Sequence, residues 1–206
     1  MFVKVCGLST PESVLAAVAA GADAVGFVLT PSPREVPPAR ARELLAHVPD
    51  GVAAVGVFRH EPAVDAVALA RAAGLAWVQL HGDRTPADVC TVHDAGLKVI
   101  RAVTMEAGKE AFDSWGEELL LIDAAVPGSG EAWDYASVRA KGLSGRDWLL
   151  AGGLDSANVA DAAGQAGAWG VDVSSGVEST RGVKDLAKIR DFVNAAKSAQ
   201  GSGRLS

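Results

Sequence analysis

The feature that most constrains this chain is a rhythm that runs from one end to the other. Short apolar runs alternate with alanine-rich amphipathic segments. The runs fall at residues 2–5, 24–28, 52–58, 77–80, 97–100, 119–122, 147–151 and 169–173. Between them, helical segments open on good N-terminal signals at Thr10-Pro11-Glu12, Pro38, near Pro62 and at Thr85, and the first closes near Gly21. A weaker helical stretch spans 106–115, and the last helix runs over about 184–197. Eight strands, nearly all apolar on both faces and each followed by a helical segment, imply a parallel sheet covered by helices.

Eight repeats can close and remove every sheet edge, whereas a doubly wound sheet more often has five or six strands. The expected fold is therefore α/β, a closed parallel (β/α)8 TIM barrel in a single domain over 1–200, with a frayed tail over 201–206. A flavodoxin-like or Rossmann sheet is the alternative. Against it, Cys6-Gly7-Leu8-Ser9 follows the first strand where a dinucleotide fold would carry GxGxxG. A 49% hydrophobic fraction in 206 residues suffices for a sizeable core. The net charge of −6, with lysines and arginines scattered, argues against nucleic acid or an anionic membrane as partner. No apolar stretch reaches the roughly 18 residues of a membrane span, and the chain opens directly on a strand, so a cytoplasmic location is expected. Two distant cysteines and four histidines without ligand spacing suggest neither a disulfide framework nor a metal site.

A barrel of this kind gathers its chemistry at the carboxyl ends of its strands. Those ends deliver Cys6, the Ser32-Pro33-Arg34 segment, Phe58, Gln79 with His81, Arg101, Asp123, Gly152-Gly153, and Asp172 through Gly176. Cys6 and Asp123 each stand just past an apolar run, where packing requires neither. A thiol and a carboxyl at one rim point to proton transfer. A lone cysteine after a strand is nonetheless a packing residue more often than a catalytic one. The last two units carry an anion signal, because Gly152, Gly153, Ser174, Ser175 and Gly176 offer bare backbone amides and hydroxyls after strands seven and eight. The bland reading of those glycines is tight turns.

Taken in order, Lys4-Val5-Cys6-Gly7, Ala24-Val25-Gly26-Phe27 with Ser32 to Val36, Val55 to Phe58, Val78-Gln79-Leu80-His81-Gly82, Leu121-Ile122-Asp123 with Gly128-Ser129-Gly130, Leu150 to Leu154 with Asn158-Val159, and Gly170 to Glu178 with Gly182 and Lys184-Asp185 resemble the phosphoribosylanthranilate isomerases over nearly the whole chain. These are ketol isomerases (intramolecular oxidoreductases) that perform the Amadori rearrangement of tryptophan biosynthesis without a cofactor. The resemblance implies a small phosphosugar substrate, Cys6 as general base and Asp123 as general acid. It further implies Arg34 on the anthranilate carboxylate, Gln79 and His81 near the substrate, and Asp172 orienting the phosphate loop or a sugar hydroxyl. Phosphate is expected on Gly152, Gly153, Ser174, Ser175 and Gly176.

Two positions depart from the family pattern. Pro127 stands where a glycine commonly precedes Gly-x-Gly, which fixes φ and removes an N–H donor after Asp123. Trp133 stands where phenylalanine is common, a change that packing alone need accommodate. Three other functions remain open: the related sugar isomerase of histidine synthesis or an enzyme serving both pathways, which typically uses an aspartate at the position of Cys6; a barrel synthase of the same pathway, which needs a catalytic lysine and glutamate at strand ends; and a non-catalytic phosphosugar-binding barrel.

Overall fold

The apolar runs become eight parallel strands: β1 (Phe2–Cys6), β2 (Ala24–Val28), β3 (Ala53–Phe58), β4 (Trp77–His81), β5 (Lys98–Thr104), β6 (Leu119–Asp123), β7 (Trp148–Leu150) and β8 (Gly170–Val173). They form a closed barrel in sequence order. The computed structural model describes residues 1–124, 133–143 and 145–199, so the expected tail and the segment holding Pro127 and Gly128-Ser129-Gly130 lie outside the described residues. Closure pairs β1 with β8, aligning Val3 with Val171, Lys4 with Asp172 and Val5 with Val173. On its other edge β1 aligns Cys6 with Gly26.

This register divides each strand between two cores, because successive side chains point to opposite faces. Val3, Val5, Leu120, Ile122, Val171 and Val173 belong to the outer core shared with the helices, whereas Leu119, Leu121, Ile100, Ala102 and Leu149 fill the lumen. Lys4 and Cys6 share the parity of Phe2, which packs against the lumen cluster, and Asp123 continues the parity of Leu119 and Leu121. The mouth of the lumen thus receives the polar residues that the strands would otherwise have to bury among apolar ones. Among the described residues, no helix is long and apolar enough to cross a membrane.

The outer ring comprises α1 (Pro11–Ala19), α2 (Pro38–Leu45), α3 (Ala63–Ala73), α4 (Pro86–Asp94), α5 (Val159–Ala166) and α6 (Leu186–Ser198). Thr10 caps α1 through a reciprocal box with Ser13, and Asp185 caps α6 by accepting from the Ala187 and Lys188 amides. Two units differ from expectation. The 106–115 stretch forms only a 3-10 turn at Lys109–Phe112, and a 3-10 helix at Tyr135–Lys141 follows β6. The first has a local cause, since Arg101 donates to the Ala111 and Asp113 carbonyls at 2.6 and 2.7 Å, and the Ala111 carbonyl is the acceptor that the Trp115 amide would need in a helix continued to 115. After β8 the chain also makes a small antiparallel hairpin, β9 (Glu178–Thr180) with β10 (Val183–Lys184), inside what reads in the sequence as a loop.

Candidate active site

Lumen parity brings Cys6, Asp123, Asp172, Gln79 and His81 to one end of the barrel, and it adds Lys4, a residue whose sequence context suggested only strand. Lys4 is wholly buried, with its Nζ 2.9 Å from Asp172 Oδ1. Strand register makes the pair, because these two residues are direct neighbours across the β1–β8 seam. Burial works against the Lys4 ammonium, but Asp172 and the Cys6 sulfur outweigh it and raise its pKa. Burial likewise pushes the Cys6 thiol up, opposed by Lys4 and, more weakly, Lys184. The Asp123 carboxyl is pushed up to about 6 by desolvation, although its Oδ1 accepts the Ala124 amide at 2.8 Å. That brings its titration to within about a unit of neutral pH.

The β7 and β8 ends meet in a cavity of about 50 Å³ lined by Asp123, Gly152, Gly153, Asp172, Ser174, Ser175 and Gly176. All five residues singled out for phosphate therefore face one space, which is room for a few waters or one small anion. Its glycines have steric reasons of their own. A Cβ at Gly152 would lie 2.8 Å from Asp123 Oδ1 and 2.6 Å from the Ala124 nitrogen, and one at Gly176 would strike the Leu154 carbonyl. The carbonyls, which would repel an anion, are committed elsewhere: Gly152 accepts from Trp133 Nε1 and Tyr135 Oη, each at 3.2 Å, and Gly153 from Asn158 Nδ2 at 2.8 Å. Trp133 therefore does more than pack, since a phenylalanine there could not donate this bond.

Arg34 sits beside Cys6, its side chain crossing over Gly7, where an added Cβ would come within 2.8 Å of it. Glu178 grips it bidentately, accepting from Nε at 2.6 Å and from Nη2 at 3.0 Å. The same carboxylate accepts from Lys184 Nζ at 2.9 Å, and Lys184 also donates to the Ser174 carbonyl and reaches its Oγ at 3.3 Å. Against the cost of burial, these two cations hold the Glu178 carboxyl down at about 2. Glu178 and Lys184 join the site beyond the residues expected from sequence, although both lie in the final motif that carries the family resemblance. Lys4 reads in the sequence only as a strand residue. Its signal was parity, a charged side chain two residues before Cys6 in a strand that is otherwise buried on both faces.

On β4, the Gln79 Oε1 and His81 Nε2 atoms are buried without a hydrogen-bond partner among the described residues. Burial, reinforced by Arg59 and Arg84, depresses His81 to about 4, so its imidazole is neutral at physiological pH. His81 also borders a larger cavity of about 380 Å³ lined by Arg59, Arg84, Thr104 and Trp115. Arg101 borders that larger cavity too but does not enter the lumen. It has the parity of Val99, faces outward, pairs with Glu117 at 2.8 Å and lies 3.9 Å from the Trp115 ring. Cys90 is exposed on α4, where His93 pairs with Glu118.

A closed, eight-stranded parallel barrel whose reactive groups converge at the carboxyl ends of its strands defines a TIM-barrel enzyme. The N-(5'-phosphoribosyl)anthranilate (PRA) isomerase family model matches residues 3–195. The N-(5'-phosphoribosyl)anthranilate isomerase of Rubrobacter xylanophilus is 41% identical over 205 residues, covering 95% of this chain and 98% of that protein. The crystal structure of TrpF from Jonesia denitrificans shares 45% identity at a TM-score of 0.85, covering 97% of this chain and 98% of its own. A phosphoribosyl anthranilate isomerase in complex with reduced 1-(o-carboxyphenylamino)-1-deoxyribulose 5-phosphate shares 33% identity at a TM-score of 0.84, covering 96% and 99%. The chain belongs to the N-(5'-phosphoribosyl)anthranilate isomerase family.

Proposed function

We propose that this enzyme converts N-(5-phosphoribosyl)anthranilate to 1-(2-carboxyphenylamino)-1-deoxyribulose 5-phosphate in tryptophan biosynthesis, with Asp123 as general acid and Cys6 as general base. The observation that carries the proposal is that the Asp123 carboxyl, raised by burial, and the Cys6 thiol stand on the lumen face at the same strand ends, each within electrostatic reach of Asp172. The Asp123 carboxylic acid donates its proton to the ribose ring oxygen as the C1–O bond breaks, and the anthranilate nitrogen lone pair closes an iminium at C1. That cation acidifies C2–H. The Cys6 thiolate removes the C2 proton, and the electron pair forms the C1=C2 bond while nitrogen regains its lone pair. The enolamine then moves its hydroxyl proton to C1 and becomes the ketone. The Cys6 thiol then releases its proton to solvent and Asp123 takes one up, so atoms balance and both groups are restored without an oxidant or a cofactor.

The remaining residues bind and orient. Gly152, Gly153, Ser174, Ser175 and Gly176 receive the 5-phosphate, with the Lys184 charge behind Ser174. Arg34 is held by Glu178 through two of its nitrogens, which leaves Nη1 to meet the anthranilate carboxylate. Gln79 and His81 offer their unpartnered polar atoms to the sugar, and Asp172, with Oδ1 on Lys4, turns Oδ2 to a sugar hydroxyl. The test is fluorescence, since ring opening and rearrangement consume the anthranilate-type emission of the substrate. Folded protein that leaves this emission unchanged would overturn the assignment.

A further inference from the structure

We propose that Lys4 is a positioning residue for Cys6, acting as the fixed counter-charge against which the Cys6 thiolate forms. This rests on the reading of Cys6 as the base and extends it to the group that makes a buried thiol ionisable.

Three observations carry it. First, stability is a weak reason for a charge at Lys4. A fully buried ammonium with one ion-pair partner gives up its hydration, and apolar replacement of such pairs is often neutral or stabilising. Second, Lys4 and Cys6 are next neighbours on the lumen face of β1, and both reach across the same bare backbone. A Cβ at Gly26 would sit 2.9 Å from Cys6 Sγ and 3.3 Å from Lys4 Nζ. The missing side chain at Gly26 is what leaves room for the sulfur and the ammonium together. Third, with Asp123 in the protonated form that its acid role requires, the charges balance only when Cys6 is ionised. The groups facing the sulfur are Lys4 on β1, Asp172 on β8, Arg34 after β2 and Lys184 on β10, with Glu178 on β9 binding the last two. Three cations then stand against the carboxylates of Asp172 and Glu178, so the neutral thiol leaves one positive charge over and the thiolate cancels it. Asp172 fixes the ammonium through Oδ1 and also limits its pull on the sulfur.

That arrangement gives opposite signs for the two partners, which a structural role for Lys4 would not. The experiment titrates Cys6 in the full chain by the pH dependence of its alkylation and by thiolate absorbance, in a Cys90→Ser background so that only one thiol responds. Lys4→Met is expected to raise the Cys6 titration by about one pH unit or more, and Asp172→Asn to lower it. In turnover, Lys4→Met is expected to lower kcat by roughly 10- to 100-fold with KM changed by less than about threefold. If Lys4→Met does not fold, the double variant Lys4→Met/Asp172→Asn removes the stranded charge and is still expected to titrate above the parent. Cys6 titrating at the same pH in the parent and the folded lysine variant, or moving in the same direction in both single variants, would overturn the proposal. The thiol titration does not depend on turnover, so an active Cys6→Ala enzyme would sink the base assignment separately.

Discussion

Cys6 and Asp123 carry opposite demands on one small space. The acid must hold a proton and the thiol must lose one, yet burial raises both groups. Cys6→Ala and Asp123→Asn are each expected to lower kcat by roughly 10²–10⁴-fold while phosphate binding persists, because they remove proton transfer and leave the anion cavity intact. Titration of either variant with inorganic phosphate, alongside the fluorescence assay, separates the two effects. Asp123 also has a cost that can be measured. Its folded pKa of about 6 lies above its ordinary value, so its contribution to stability is full at low pH and is lost as pH rises through 6. Asp123→Asn is accordingly expected to raise Tm by several degrees near pH 8, equivalent to about 2 kcal/mol, and to leave it unchanged near pH 4. Equal Tm values at both pH extremes would place the carboxyl in water. Arg34→Ala should lose roughly 1.5–3 kcal/mol of substrate binding, read as a rise in KM. It also strips Glu178 of its bidentate partner, so thermal stability must be measured beside KM, and an effect confined to Tm would leave Arg34 structural.

At the scale of elements, the β7 and β8 loops and the β9–β10 hairpin behave as one unit. Gly176 packs against the Leu154 carbonyl, and Glu178 ties the hairpin to the loop after β2 through Arg34. Ser175→Asp is expected to raise KM for the phosphosugar by placing a carboxylate against the phosphate. An unchanged KM in folded protein would move the phosphate elsewhere. The hairpin anchor has its own pH signature. Because the folded Glu178 pKa lies near 2, below its ordinary value, its stabilisation is present above about pH 4.5 and is lost as pH falls toward 2. Acid unfolding should consequently be less steep in Glu178→Gln, provided that variant is still folded at neutral pH. An identical acid limb would assign the acid sensitivity to other carboxylates.

For the molecule as a whole, the two sides of the mouth are chemically unlike. The β7–β8 side is glycine, serine and free backbone, whereas the loops after β3 and β4 carry charged side chains, of which Glu61 and Arg84 are engaged with local backbone while Arg84 Nη2 has no hydrogen-bond partner among the described residues. Glu61 accepts from the Arg59 and His60 amides, and Arg84 donates to the His81 and Glu61 carbonyls. Asp83 lines the cavity there as well. A substrate with phosphates at both ends would lack a second backbone cradle. The enzyme is therefore expected to isomerise phosphoribosylanthranilate and to show little or no turnover of the bis-phosphorylated aminoaldose of histidine synthesis. Comparable kcat/KM on both would show that Arg59 and Arg84 serve as the second anion site.

What the sequence determined by itself is what local pattern can encode. Eight apolar runs with intervening amphipathic segments admit few folds other than a closed parallel barrel, and strand ends in such a barrel announce Cys6, Asp123 and the glycine-serine loops. The weak helical stretch after β5 shows where pattern stops, because its fate depended on Arg101 taking carbonyls from a segment ten residues away. Tertiary structure decided the partnerships. Lys4 meets Asp172 across 168 residues of chain, and Arg34 meets Glu178 across 144. Both pairings follow from the closure of the barrel, which sets β1 between β2 and β8 and which no window of sequence contains. The same closure sets the acidities at the mouth, since a thiol or carboxyl has its ordinary pKa until distant strands remove its water and choose its neighbours.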